Sequence, residues 1–115
     1  MPSTGLTGPY TLSHQMVDQV VTKTSPGAYG LGRTADSVFY ISRVGRSDSD
    51  LNERLHDWVS DYSQFKYGYL ASVKAAYEKE CRLWHDWGGP DGKLDNKNHP
   101  DKPENVNVTC PVCGK

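Results

Sequence analysis

Residues 72–87 read SVKAAYEKECRLWHDW, and the spacing of their apolar residues predicts one amphipathic helix. The residues that would share one side of that helix are Val73, Ala76, Tyr77, Trp84 and Trp87. Glu80 falls in the same stripe, although a carboxylate facing a core is costly unless it is paired or holds a metal. Glu78 is its competitor, but it shares a face with Lys74 and fits a solvated ion pair better. We therefore predict that Glu80 is the functional carboxylate.

The same helix carries a soft pair of metal ligands on a neighbouring side. Cys81 and His85 are four residues apart, so both can point at one ion. The chain closes with CPVCGK, in which Cys110 and Cys113 form a CxxC knuckle. These four residues predict a closed, structural zinc site that fastens the tail to the helix, with His99 competing with His85. The alternatives are a free or redox-active cysteine pair and a buried Cys81 thiol.

Length and composition describe a small domain with a thin core. The chain has 115 residues, with 36% hydrophobic residues and a mean hydropathy of −0.70. We expect a flexible N-terminus over residues 1–10 and a single domain over residues 11–115, whose zinc-binding tail spans residues 88–115. Because structural zinc can contribute on the order of 10 kcal/mol, it would exceed what such a core supplies.

Charge and cysteine usage limit the classes of partner. The formal net charge is −1, so any nucleic-acid contact must come from a local patch rather than from the whole surface. The arginines that could form such a patch are Arg33, Arg43, Arg46 and Arg54. No apolar run is long enough to cross a membrane, and the start of the chain lacks a signal-peptide pattern. The lack of both patterns, together with the odd number of cysteines, favours a reducing, cytoplasmic setting.

Before residues 72–87, the sequence alternates between helical and strand patterns. We predict helices over residues 11–24 and 47–60, a β-hairpin from residues 27–32 and 37–45, a strand over residues 65–70, and an irregular segment over residues 88–109. The order predicts an α+β fold, in which a small three-stranded antiparallel sheet is flanked by helices and followed by the zinc-stapled tail.

Five elements in this order resemble the GIY-YIG nuclease family across roughly residues 26–98. They are Gly27-Ala28-Tyr29, Val44-Gly45-Arg46-Ser47, the helix start Asp50-Leu51-Asn52-Glu53-Arg54-Leu55, Glu80, and Asn96 in the loop Leu94–Pro100. The resemblance implies an endonuclease that hydrolyses DNA phosphodiester bonds with one divalent cation, Mg²⁺ or Mn²⁺. It also implies a GIY-YIG-like sheet. Because we see no specificity domain beyond this core, we expect substrate choice to come from the first helix, the flexible N-terminus, the loop over residues 88–109 or a protein partner.

Roles follow from the resemblance residue by residue. Glu80 would hold the cation, and Tyr29 would orient or deprotonate the attacking water. Arg54 would clamp a phosphate oxygen, which suits a guanidinium fork. Asn96 would steady the site from its loop, with Asn98 as its rival.

The chain departs from the family pattern at the second tyrosine. Arg43 stands at that position when the register ends at Gly45, and Tyr40 fills it in an alternative register. We prefer the first register, in which Arg43 would lie beside Tyr29 and favour its phenolate. His56 is expected to be a surface residue rather than a general base.

Structural roles compete with the catalytic ones. In the structural alternative, Tyr29 and Tyr40 are simply aromatic residues of the sheet. Arg54 is then a snorkelling arginine, which lays its aliphatic stem on apolar surface and keeps its guanidinium in water. The whole chain would then be a catalytically inactive zinc module that binds nucleic acid or protein.

Overall fold

Four antiparallel strands form the sheet in the computed structural model, which describes residues 4–104 and 106–114. The elements are β1 (Thr7–Thr11), α1 (His14–Val20), β2 (Gly27–Ala35), β3 (Val38–Ser47), α2 (Leu51–His56), β4 (Gln64–Tyr69) and α3 (Val73–Asp86). The strand order is β1-β4-β2-β3, so β3 forms one edge of the sheet. The α+β class and the antiparallel sheet are confirmed. The prediction of three strands was wrong by one.

The additional strand, β1, comes from the segment that was expected to be flexible. Thr7 and Tyr10 pair with Tyr67 and Phe65 of β4, at the edge opposite β3. The sequence hides this strand because an edge strand tolerates Gly and Pro and can rely on backbone pairing rather than on apolar alternation. Residues 1–3 of the predicted flexible segment lie outside the described residues.

Two apolar layers cover the two faces of the sheet. On one face, Tyr29 and Leu31 of β2 pack with Val17 of α1 and with residues of α2. On the other face, Ala28 and Val44 pack with Leu83 and Trp84 of α3 and with Leu94. Neighbouring residues of β2 therefore serve opposite layers, as the alternation of side chains along a strand requires.

Gly45 is required at its position because Tyr29 lies directly across from it in the β2–β3 ladder. A Cβ atom at residue 45 would overlap the phenol ring of Tyr29. We expect Gly45→Ala to lower the free energy of unfolding by about 1–3 kcal/mol through overpacking, measured by urea denaturation. Gly30→Ala in the same hairpin is the control, since its Cβ would meet only the end of Ile41, at 3.2 Å. Equal stability of the two variants would contradict this account of Gly45.

Candidate functional site

A cleft of about 810 Å³ lies beside the exposed edge of the sheet. Its walls come from β3, from α2, from Glu80 of α3 and from the loop over residues 95–101. Five of the residues that the sequence predicts for the site line this cleft: Tyr29, Arg43, Arg54, Glu80 and Asn96. They come from five separate segments of the chain, so the fold brings together what the sequence keeps apart.

Tyr29 lies at the buried end of the α2 side of the cleft. Its side chain is 3% exposed, and Trp58 donates its indole hydrogen to the phenol oxygen at 2.8 Å. Burial raises the pKa of Tyr29 to about 12, although the Trp58 hydrogen bond and the charges of Arg54 and Arg43 oppose that rise. The phenol is therefore neutral near pH 7. Accepting one hydrogen bond leaves the hydroxyl its own hydrogen to donate.

The raised pKa of Tyr29 predicts an alkaline loss of stability. The phenol ionises near pH 10 in the unfolded chain but only near pH 12 in the folded one. Its contribution is therefore complete below pH 10 and disappears as the pH rises towards 12. Between pH 9 and 11 we expect the native protein to lose about 1 kcal/mol more unfolding free energy than Tyr29→Phe does, measured by urea denaturation. Identical pH dependence of the two proteins would show that Tyr29 is not buried.

Arg43 lies in the cleft wall but is held by aromatic residues. Its guanidinium sits 4.7 Å from the ring centroid of Trp58, and its Nε donates to the Tyr62 hydroxyl at 3.1 Å. In the β-ladder Arg43 pairs with Leu31, whereas Tyr29 pairs with Gly45. Arg43 thus lowers the pKa of Tyr29 only as a minor influence that burial outweighs. The expected direction of its influence on Tyr29 is present, but burial outweighs it and the phenol stays neutral near pH 7.

Arg54 is the cation of the cleft that is least committed to other protein groups. Its side chain is 52% exposed, and within residues 4–104 and 106–114 it forms one ion pair, with Asp57 at 3.6 Å, three residues later in the chain. Exposed pairs of this kind contribute about 0–1 kcal/mol and are readily exchanged. Arg54 is therefore able to turn towards an anion in the cleft.

Glu80 is buried, as its place in the apolar stripe of α3 predicts, and it is paired with Arg46. Nη1 of Arg46 lies 2.6 Å from Oε1 of Glu80, while Nε of Arg46 lies 2.7 Å from Oδ1 of Asp48. Burial raises the pKa of Glu80, and the charge and hydrogen bond of Arg46 oppose that rise. A carboxylate has further lone pairs beyond the one that Arg46 uses. The competitor Glu78 does not line the cleft.

The sequence did not reveal that Arg46 pairs with Glu80. It pairs with Ala28 in the β-ladder, which places it on the face of the sheet that α3 covers. Its guanidinium also lies 5.2 Å from the ring centroid of Tyr77 in α3. The only available signal was its place beside Gly45 in the motif, because the register that brings it to Glu80 is a property of the folded sheet.

Asn96 fixes the position of its loop, and both polar ends of its side-chain amide are hydrogen-bonded. Its Oδ1 accepts from the backbone N–H of Val44 at 3.3 Å, and its Nδ2 donates to the Val44 carbonyl at 3.1 Å. Its own carbonyl accepts from the indole of Trp84 at 2.8 Å. These bonds fasten the loop to the edge of β3, and the predicted role of Asn96 in steadying the site stays a prediction. Its rival Asn98 also lines the cleft.

Tyr40 and His56 lie outside the cleft lining. Tyr40 is 47% exposed and pairs with Arg33 towards the tip of the β2–β3 hairpin. The alternative register that gave it a catalytic role was wrong, because the hairpin places it beyond the site. His56 stacks on His14 and bonds Asp18 at 2.8 Å, in agreement with the expectation that it is not the general base.

A group of four potential metal ligands lies where the tail meets α3. Ligand atoms of His85, His99, Cys110 and Cys113 all lie within 4.8 Å of one another. Within residues 4–104 and 106–114, the buried Nε2 of His85 has no hydrogen-bond partner, which is costly for a polar atom unless a metal occupies that direction. His99 donates from Nδ1 to the Pro100 carbonyl at 3.0 Å, so the lone pair of Nε2 faces Cys113 at 3.3 Å. Two imidazoles and two thiolates are a ligand set typical of structural zinc.

Cys81, the predicted fourth ligand, does not belong to this group. It is buried with Tyr77, Val108 and Cys110, and burial raises the pKa of its thiol to about 12. His99 takes its place, because the loop over residues 95–101 turns back to the end of α3. The structure thus includes both histidines that the sequence presented as alternatives.

Comparisons of the chain with protein-family models, with curated proteins and with solved structures gave no match. Across residues 4–104 and 106–114, no helix is both long and apolar enough to cross a membrane.

Proposed function

We propose that this protein is a metal-dependent endonuclease of GIY-YIG type, which hydrolyses DNA phosphodiester bonds and carries a structural zinc ion. The observation that carries the proposal is the convergence of Tyr29, Arg54 and Glu80 on one cleft. A phenol, a loosely held guanidinium and a buried carboxylate are the groups that phosphodiester hydrolysis requires: one for the water, one for the phosphate and one for a divalent cation.

Glu80 is the residue that would hold the catalytic cation. Arg46 occupies one of its carboxylate oxygens, which leaves the other for Mg²⁺ or Mn²⁺. When bound there, the cation would neutralise charge on the phosphate and lower the pKa of a bound water. Asp48, which also lines the cleft and contacts Arg46, keeps the arginine paired when the cation competes for Glu80.

Tyr29 and Arg54 would act directly on the reactants. The neutral phenol of Tyr29 orients the attacking water through the hydroxyl hydrogen that the Trp58 bond leaves free to donate. Arg54 would leave Asp57 and place its guanidinium on a non-bridging phosphate oxygen. With a pKa near 12, Tyr29 could deprotonate that water only if a nearby cation lowered the value.

The zinc centre supports the cleft through His99, which both lines the cleft and belongs to the ligand group. Asn96 fastens one end of the same loop to Val44, and zinc would fasten the other end to α3 and the tail. The loop wall of the cleft would then be held at two points. This rigidity would keep the cleft open to an extended strand.

A second candidate function is an inactive zinc module that binds nucleic acid or protein. The Arg46–Glu80 ion pair favours it, because an arginine already neutralises the carboxylate that the cation would need. In that case the cleft is a structural ion-pair network and Arg54 serves binding alone.

The two candidates differ in a direct assay. The zinc-loaded protein is incubated with plasmid, single-stranded and branched DNA in Mg²⁺, Mn²⁺ or Ca²⁺, and nicking is followed on gels. The endonuclease proposal expects cleavage in Mg²⁺ or Mn²⁺ and little in Ca²⁺, whose size and flexible geometry suit catalysis poorly. Binding without cleavage of any of the three DNAs would support the inactive module instead.

A further inference from the structure

The tip of the β2–β3 hairpin carries an exposed aromatic residue beside an exposed cation. Tyr40 is 47% exposed, and Arg33 lies across from it in the ladder with its guanidinium 5.6 Å from the ring centroid. Val38, also near the tip, is 42% exposed. Neither Tyr40 nor Arg33 contributes to the apolar clusters of the domain. Their pairing therefore needs an explanation other than core packing.

Tyr40 points to the same side of the sheet as the catalytic phenol. Ile41, the next residue, packs on the α3 side with Ala28 and Val44. Because successive side chains alternate along a strand, Tyr40 faces the α2 side. Arg43 is on that side as well, since its guanidinium stacks on Trp58, the partner of Tyr29. Tyr40 and its ladder partner Arg33 therefore lie on the same side of the sheet as Tyr29 and Arg43 of the cleft.

The spacing of these groups fits a nucleic-acid strand. Tyr40 is three residues from Arg43 along β3, and the register shift between Leu31 and Gly32 brings both to the same side of the sheet. Three residues span about 10 Å at the rise of a regular β-strand, and somewhat less across the shift. That is about three nucleotides of stacked strand at 3.4 Å each. An exposed ring with a guanidinium over it matches a base that stacks and a phosphate that pairs. Arg43 adds positive charge on this side of the hairpin. The carboxylates near it are Asp36 at the turn and Asp95, whose backbone N–H donates to the Ser42 carbonyl at 2.6 Å.

We propose that the Arg33–Tyr40 pair is a second nucleic-acid contact, which binds the DNA strand where it leaves the cleft. Tyr40 stacks on a base and Arg33 pairs with a phosphate, about three nucleotides along the strand from Arg43 in the cleft wall. This inference rests on the proposed nuclease function. It assigns binding to Tyr40 and no part in the chemistry.

The hairpin itself supplies a matched control on its other face. Phe39 is the neighbour of Tyr40 and faces the α3 side, where Lys66 lies 5.5 Å from its ring centroid. Phe39→Ala therefore removes an aromatic ring from an equivalent cation–aromatic pair that does not face the cleft. Both substitutions are near the hairpin tip, so neither alters the buried core.

The test is fluorescence anisotropy with a labelled 20-nucleotide single strand and a labelled branched duplex, in Ca²⁺ over a series of salt concentrations. We expect Tyr40→Ala to weaken the Kd about 10-fold and Phe39→Ala to leave it within about two-fold. Arg33→Ala should reduce the slope of log Kd against log salt by about one. In nicking assays with Mg²⁺, Tyr40→Ala should raise KM and leave kcat unchanged.

Each other outcome overturns a defined part of the argument. If the native protein nicks DNA and Tyr40→Ala binds as tightly as it does, the inference fails and the nuclease proposal stands. The inference also fails if Phe39→Ala weakens binding as much, or if Tyr40→Ala changes only the oligomeric state in sedimentation. If the native protein neither binds nor nicks any of these DNAs, the inference and the proposed function fail together.

Discussion

Replacing Glu80 with Gln is expected to reduce Mg²⁺-dependent nicking by about 10³-fold, because the loss of a catalytic cation removes several kcal/mol of transition-state stabilisation. Glutamine suits this position better than alanine. Its amide oxygen can still accept the hydrogen bond that Arg46 donates at 2.6 Å, and Arg46 keeps its pair with Asp48. The fold and zinc content should therefore remain near those of the native protein.

Glu78→Gln is the matched control for this experiment. It makes the same chemical change two residues earlier on α3, outside the cleft. Nicking rates are compared at saturating DNA, with zinc content and thermal unfolding measured on the same preparations. Cleavage by Glu80→Gln at the native rate would remove Glu80 from the mechanism. Equal losses in both variants would indicate damage to α3 rather than the loss of a ligand.

The elements that the sequence predicted well are those whose signals are local. The apolar stripe over residues 72–87 corresponds to α3, and the β-branched and aromatic runs between residues 27 and 45 correspond to β2 and β3. Glu80 stood out because a carboxylate interrupts an apolar face, a pattern that depends only on helical spacing. The CxxC knuckle was visible because its two cysteines are also close together in the sequence.

The features that were missed depend on pairing between distant segments. Arg46 meets Glu80 only because the register of β2 and β3 turns it towards α3. Both ends of the Asn96 amide bond the backbone of Val44, 52 residues earlier in the chain. Strand β1 has little apolar pattern, since backbone bonds to β4 define it. No spacing rule within one segment could reveal these contacts.

Removing zinc is expected to have the largest effect on stability. The tail packs on α3 at two places: Leu94 lies against Leu83 and Trp84, and Val108 and Cys110 lie against Tyr77 and Cys81. The ligand group beside these contacts would fasten the tail further when it holds zinc. Structural zinc supplies about 10 kcal/mol or more in small domains, while the whole stability of a domain is about 5–15 kcal/mol. Treatment with a strong chelator should therefore release the tail and lower the thermal unfolding temperature by about 20 °C or more.

Two substitutions distinguish the ligand set in the structure from the one that the sequence favoured. His99→Ala should abolish stoichiometric zinc, because it removes a ligand whose Nε2 faces Cys113 at 3.3 Å. Cys81→Ala should retain one zinc ion per chain and lose about 1–2 kcal/mol of unfolding free energy from the small cavity it leaves. Zinc is measured by atomic emission and stability by urea denaturation. Loss of zinc in Cys81→Ala with retention in His99→Ala would show that the thiol, and not the loop imidazole, completes the site.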